Sequence, residues 1–129
     1  MRAALAFSVT LALVAQACSQ ATYSCDYRNG MPITGQSTTQ AFCDEYVGLS
    51  GNDVTASHDL CVTGYRGIGA TGQWSESACP RGDSLGACRI DNNLIDTEWW
   101  YPATGSGNIT SVSEVMNLCA GIGVDYVSP

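Results

Sequence analysis

The residues with the most chemistry to offer are seven cysteines, Cys18, Cys25, Cys43, Cys61, Cys79, Cys88 and Cys119. Thiols ligate metals, carry redox chemistry or pair as disulfides, and spacing separates these uses. Structural zinc sites bring cysteines to within about two to four residues of each other. Among the six cysteines after Cys18 the closest pair, Cys79 and Cys88, has eight residues between, Cys18 and Cys25 have six, and His58 is the single histidine. No Cys-x-x-Cys redox motif occurs. The spacing therefore favours disulfides over a metal centre, and no cofactor motif is present.

Other reactive combinations are sparse. His58-Asp59 is the one histidine–carboxylate neighbour pair, but a Ser-His-Asp triad needs convergence in space and not adjacency in sequence. Asp91, Asp96 and Glu98 are close in sequence, and paired carboxylates serve glycoside hydrolysis when they face a cleft. A solvated strand edge explains them better. Asp91-Asn92-Asn93 opens like a calcium loop, yet Ile95, Asp96 and Pro102 stand where that loop needs an oxygen ligand, Gly and Glu. Arg81-Gly82-Asp83 matches a short integrin tripeptide that a simple turn also explains. Asn108-Ile109-Thr110 is a glycosylation sequon, relevant only in a eukaryotic host. No catalytic residue is assigned, and the chain is not expected to be an enzyme. A hydrolase is the remote alternative. Trp99-Trp100-Tyr101 is the candidate binding surface. Strand alternation sends Trp99 and Tyr101 to one face and Trp100 to the other. One face would fill the core while the other offers an aromatic platform to a glycan or protein partner.

The N-terminus carries Met1-Arg2 and then an uncharged, apolar stretch from Ala3 to Ala17. A positive charge, an apolar core and a small-residue end are the parts of a secretory signal. The apolar run is shorter than the roughly 20 residues of a comfortable membrane span. Residues 1–17 are read as the signal peptide, and 18–129 as one cysteine-rich extracytoplasmic domain. Val14-Ala15-Gln16-Ala17-Cys18 resembles the lipobox of bacterial lipoproteins, with Ala15 where Leu is usual. That resemblance implies lipidation at Cys18, anchorage to a membrane through the acyl chains, and an outer-membrane location, with which Ser19 is compatible. Ordinary cleavage, before Cys18 or before Thr22, would instead release a free secreted protein. The stretch from Ala78 to Gly123 looks like that of small cysteine-rich bacterial lipoproteins and secreted proteins, a likeness that implies no activity.

An odd cysteine count in an exported chain asks which thiol stays unpaired. Lipidation or removal of Cys18 leaves six, which in an oxidising compartment form three disulfides. Cys25, Cys43, Cys61 and Cys79 stand 18 residues apart, but the intervening segments share no pattern, so no solenoid repeat is expected. Lysine is absent, and without Arg2 twelve acidic residues face four arginines, for a net charge of −8. Such a surface excludes nucleic acid, whose phosphates demand cations. It also excludes electrostatic docking on anionic lipid.

The elements that must position these residues are short. Thr22–Arg28 alternates like a strand and ends in the Asn29-Gly30 turn signal. Ser37-Thr38-Thr39-Gln40 reads as a capping box opening a helix with Phe42, Cys43, Tyr46 and Val47 on one face. Gly51–Leu60 reads as a loop. Leu60–Tyr65 and Thr71–Ser75 read as strands around a glycine-rich turn at 66–70, and Ser84–Ile90 and Thr97–Tyr101 as a strand pair. A second capping box, Ser111-Val112-Ser113-Glu114, opens a helix with Val112, Val115, Met116 and Cys119 on one face. Two strand–helix units, each with one cysteine per element, predict the bridges Cys25–Cys43 and Cys88–Cys119, and by elimination Cys61–Cys79. The expected fold is a small α+β domain of short antiparallel strands with two short helices, stapled by disulfides. The expected role is a lipid-anchored cell-surface interaction or structural module. The alternative is a freely secreted binding protein of the inhibitor or adhesin type.

Overall fold

The computed structural model describes residues 20–28, 41–64, 71–92, 94–103 and 109–129. The signal-peptide segment, Cys18, the Asn29-Gly30 turn, the first capping box, the turn at 66–70 and Asn108 of the sequon lie outside the described residues.

Six strands, β1 (Thr22–Asp26), β2 (Phe42–Val47), β3 (Gln73–Ser75), β4 (Gly86–Arg89), β5 (Thr97–Trp100) and β6 (Tyr126–Val127), form one sheet in the order β3-β1-β2-β5-β4-β6. Every pairing is antiparallel. Two helices, α1 (Gly51–Thr63) and α2 (Val112–Ile122), complete the α+β fold. One sheet face carries Cys25, Phe42, Tyr46, Cys88 and Trp100, which pack with Cys61 of α1 and with Val115 and Cys119 of α2. The Phe42 ring lies 4.9 Å from Tyr27 and 5.2 Å from Trp100, in the tilted geometry aromatic quadrupoles favour. The other face carries Cys43, Ala87 and Trp99 and packs against Cys79 and Tyr101. Here the cover is no helix but a strap of irregular chain, residues 76–81, that follows β3.

Each cover is bonded to the sheet. Cys25–Cys61 holds α1, Cys88–Cys119 holds α2, and Cys43–Cys79 holds the strap. The expected Cys88–Cys119 bridge is present, whereas Cys25–Cys43 and Cys61–Cys79 are not. The reason is register. Cys25 stands opposite Asp44 and Cys43 opposite Asp26, so the two sulfurs leave opposite faces of the sheet and cannot meet. Loops of 36, 36 and 31 residues are closed. In the loop-entropy description each closure is worth about 4 kcal/mol. A domain with a net stability of about 5–15 kcal/mol leans heavily on three such terms.

Two expected elements change type. Phe42–Val47, expected in a helix, is the central strand β2. Five of its six residues are buried because both faces of β2 are covered, and the acids Asp44 and Glu45 lie within that run. The apolar residues left at 42, 43, 46 and 47 imitate a helical stripe. Gly51–Thr63, expected as loop and strand, is α1. Ser50 caps it by accepting from the Asp53 N–H, and Gly64 ends it at φ +70°. Its inward face is marked by Ser57 and Cys61 alone among buried residues, too small a stripe to register as amphipathic. The α2 capping box forms as expected. Hydrogen bonds from Thr110 and Ser111 hold the Glu114 carboxyl below its ordinary pKa. Strand β6 adds an edge that periodicity does not reveal. It requires Gly86, at φ +121°, since any Cβ there would run into the Tyr126 ring.

Peptide mapping of the non-reduced protein tests the connectivity. Cross-linked peptides joining Cys25 to Cys61 and Cys43 to Cys79 are expected. A peptide joining Cys25 to Cys43 contradicts the face assignment.

Candidate functional site

The Trp99-Trp100-Tyr101 run does not form an exposed platform. The three side chains are 4%, 6% and 2% exposed. Trp100 lies under the helices with Phe42, while Trp99 and Tyr101 lie on the strap face. Both sides of β5 are covered, so strand alternation chooses between two cores here rather than between core and solvent.

The strap face is built by charge as much as by carbon. Glu45, buried on β2, accepts from the Cys79 backbone N–H at 2.9 Å and from Arg81 Nη2 at 3.0 and 2.9 Å. The Arg81 guanidinium also donates to the Cys79 carbonyl at 2.8 Å and lies 3.6 Å from the centre of the Trp99 ring. Tyr101 donates to the Pro80 carbonyl at 2.6 Å, and burial pushes its pKa up to about 12. Arg28 lies 4.2 Å from the Tyr101 ring and grips Asp26 through Nε and Nη2. Its pKa is raised, chiefly by that hydrogen bond. The arginine of the Arg81-Gly82-Asp83 tripeptide is thus turned inward onto Glu45 and Trp99. It is a structural clamp, not a free recognition side chain.

The residues considered for catalysis do not converge. His58 lies on the exposed side of α1, and among the described residues it has one hydrogen-bond partner, Asp59 at 3.1 Å. Its ring meets Trp74 edge-on at 5.8 Å. Asp96 accepts from its neighbour Thr97. Glu98 stands opposite Asp44 and Cys88 on the helix-covered face. In the Asp91-Asn92 turn, Asn92 Oδ1 accepts from the Leu94 and Ile95 N–H groups, so this oxygen closes the turn. Among the described residues no group of three or more His, Cys, Asp or Glu is placed to hold a metal ion.

Two surface features escaped the sequence. Tyr23 and Trp74, both half-buried, stack at 5.6 Å at the β1–β3 edge, with Trp74 5.4 Å from the buried Tyr46 of β2. On the opposite face of the same two strands, between the sheet and the strap, lies an open groove of about 230 Å³. Ser24, Asp26, Gln73 and Ser75 line its sheet side, and Ser77 and Pro80 its strap side. Neither feature is visible in the sequence, because each depends on β1 pairing with a strand about 50 residues later, Ser24 with Ser75.

Comparison of the chain with protein-family models, with curated proteins and with solved structures finds no match. The geometry of this chain therefore carries the functional argument by itself.

Removing the clamp tests the strap face. Arg81→Ala leaves the Glu45 carboxylate buried with one N–H partner and uncovers Trp99, and is expected to cost about 2–4 kcal/mol in a denaturant titration. The double variant Arg81→Ala/Glu45→Gln should recover part of that loss, because the uncompensated charge is gone. Strictly additive losses would show that the two side chains do not act as a pair.

Proposed function

We propose that this chain is a small extracytoplasmic binding module, secreted and of the inhibitor or adhesin kind. The observation that carries the reading is the complete pairing of Cys25, Cys43, Cys61, Cys79, Cys88 and Cys119 in three buried bridges. A fold whose covers are all held by disulfides belongs in an oxidising compartment, since cytosolic reductants keep thiols free. The leader-like residues 1–17 supply the route, and the acidic surface suits solubility there. No described helix is long and apolar enough to cross a membrane. A binding role rather than a catalytic one fits the engagement of Glu45, Asp26 and Arg81 in structural contacts.

A second reading is favoured by the cysteine count. Six paired thiols leave Cys18, the lipobox-like position, as the seventh. A diacylglyceryl thioether there would tether the domain to a membrane, stably when joined by N-acylation. The chain between Cys18 and β1 is only a few residues long, so the anchor would hold the sheet close to the bilayer.

One experiment separates these readings. The full chain is expressed in a bacterium with its own leader, fed a radiolabelled fatty acid, and fractionated with and without detergent. The secreted reading predicts oxidised, unlabelled protein in the soluble extracytoplasmic fraction. The anchored reading predicts labelled protein that needs detergent, with label lost in Cys18→Ala. Retention in the cytoplasm with free thiols contradicts both.

A further inference from the structure

We infer that the groove between β1, β3 and the strap is a binding site for a neutral, hydroxyl-rich ligand of about the size of one sugar ring. The inference deepens the binding-module reading by naming a ligand class, and it rests on that reading.

The groove is assembled from sequence-distant parts that the sheet brings into register. Antiparallel pairing sets Ser24 against Ser75 and Asp26 against Gln73. Cross-strand partners share a face, so these four side chains form a polar quartet on the outer side of the sheet. Ser77 extends it, with Oγ 2.7 Å from Ser75 Oγ. Pro80 gives an apolar wall, and the neighbouring Cys79 is fixed by its bridge to Cys43. The β1–β3 pairing and the Cys43–Cys79 bridge thus hold both walls in place without a ligand, which lowers the ordering cost of binding.

Charge narrows the ligand. Among the described residues Asp26 is the one acid in the lining, and its two oxygens accept from the Arg28 backbone N–H, Nε and Nη2. Its charge is cancelled and its lone pairs are largely used. Arg81, on the strap, is committed to Glu45. Among the described lining residues neither an anion nor a cation finds an unpaired opposite charge. What remains is the Gln73 amide and the exposed Ser75 and Ser77 hydroxyls, which both donate and accept, while Ser24, 2% exposed, floors the groove. Vicinal hydroxyls of a sugar, each a donor and an acceptor, match such groups. The volume of about 230 Å³ is below the roughly 300–1,000 Å³ of sites for drug-sized ligands, which limits the occupant to one small ring.

Titration of the isotopically labelled, oxidised full domain by amide NMR tests the site. The probes are D-glucose, D-galactose and N-acetylglucosamine, with sodium acetate as the anionic comparison. The expected result is saturable shifts at Ser24, Asp26, Gln73, Ser75 and Ser77 with at least one sugar, with a dissociation constant on the order of millimolar. Gln73→Ala and Ser75→Ala replace exposed residues of the edge strand β3 and should each weaken that sugar about tenfold while the remaining resonances stay in place. If either variant loses dispersion, Ser77→Ala, in the strap, supplies the same test. No shift with any sugar overturns the inference. So do shifts confined to the Tyr23, Trp74 and His58 cluster, or acetate binding more tightly than every sugar. Failure here in a correctly oxidised, exported protein removes the ligand class alone. Cytoplasmic retention with free thiols would remove the module reading instead.

Discussion

The bridges Cys25–Cys61, Cys88–Cys119 and Cys43–Cys79 each join a strand to whatever lies over it, and the rest of the structure follows from that arrangement. A six-stranded sheet of short strands has two faces to cover, and among the described residues two short helices and a strap do it. None of the three covers buries much apolar surface. Helix α1 offers only Ser57 and Cys61 as fully buried residues, and α2 only Val115 and Cys119. Small elements of this kind do not offset their own ordering entropy by burial. Covalent closure shifts the balance by restricting the unfolded chain.

The strap face shows how the same constraint admits polar groups into the interior. Glu45 would be costly to bury alone. Cys79, drawn in by its bridge to Cys43, brings a backbone N–H and, two residues on, the Arg81 guanidinium to the carboxylate. Arg81 then roofs Trp99, and Tyr101 closes on the Pro80 carbonyl. One disulfide thus positions an ion pair, a cation–π contact and a hydrogen bond. It also fixes the strap beside the groove.

What was legible in the sequence divides along physical lines. The fold class, the α2 helix with its Ser111–Glu114 box, and the strands around Cys25, Cys88 and Trp99 could be read, because capping and alternation are local signals. Strand β2 was misread because both of its faces are buried, which erases alternation and leaves a false helical stripe. Helix α1 was misread because a bridge, not an apolar stripe, holds it down. The pairing of Cys25 and Cys43 failed on a parity that exists only once β1 and β2 are in register. The same blindness to long-range pairing hid the groove, whose quartet joins Ser24 and Asp26 to Gln73 and Ser75. The aromatic run at Trp99 was visible, but its burial on both sides depends on covers supplied from elsewhere in the chain.

The central claim is that disulfides, rather than the size of the core, hold the covers on the sheet. It is tested most directly by reducing the folded domain at neutral pH without denaturant, while following near-ultraviolet circular dichroism and counting free thiols. The account predicts that the aromatic signal of the buried Trp99, Trp100 and Tyr101 collapses as the thiols of Cys25, Cys43, Cys61, Cys79, Cys88 and Cys119 are released. A native aromatic spectrum persisting with all of these thiols free would contradict it.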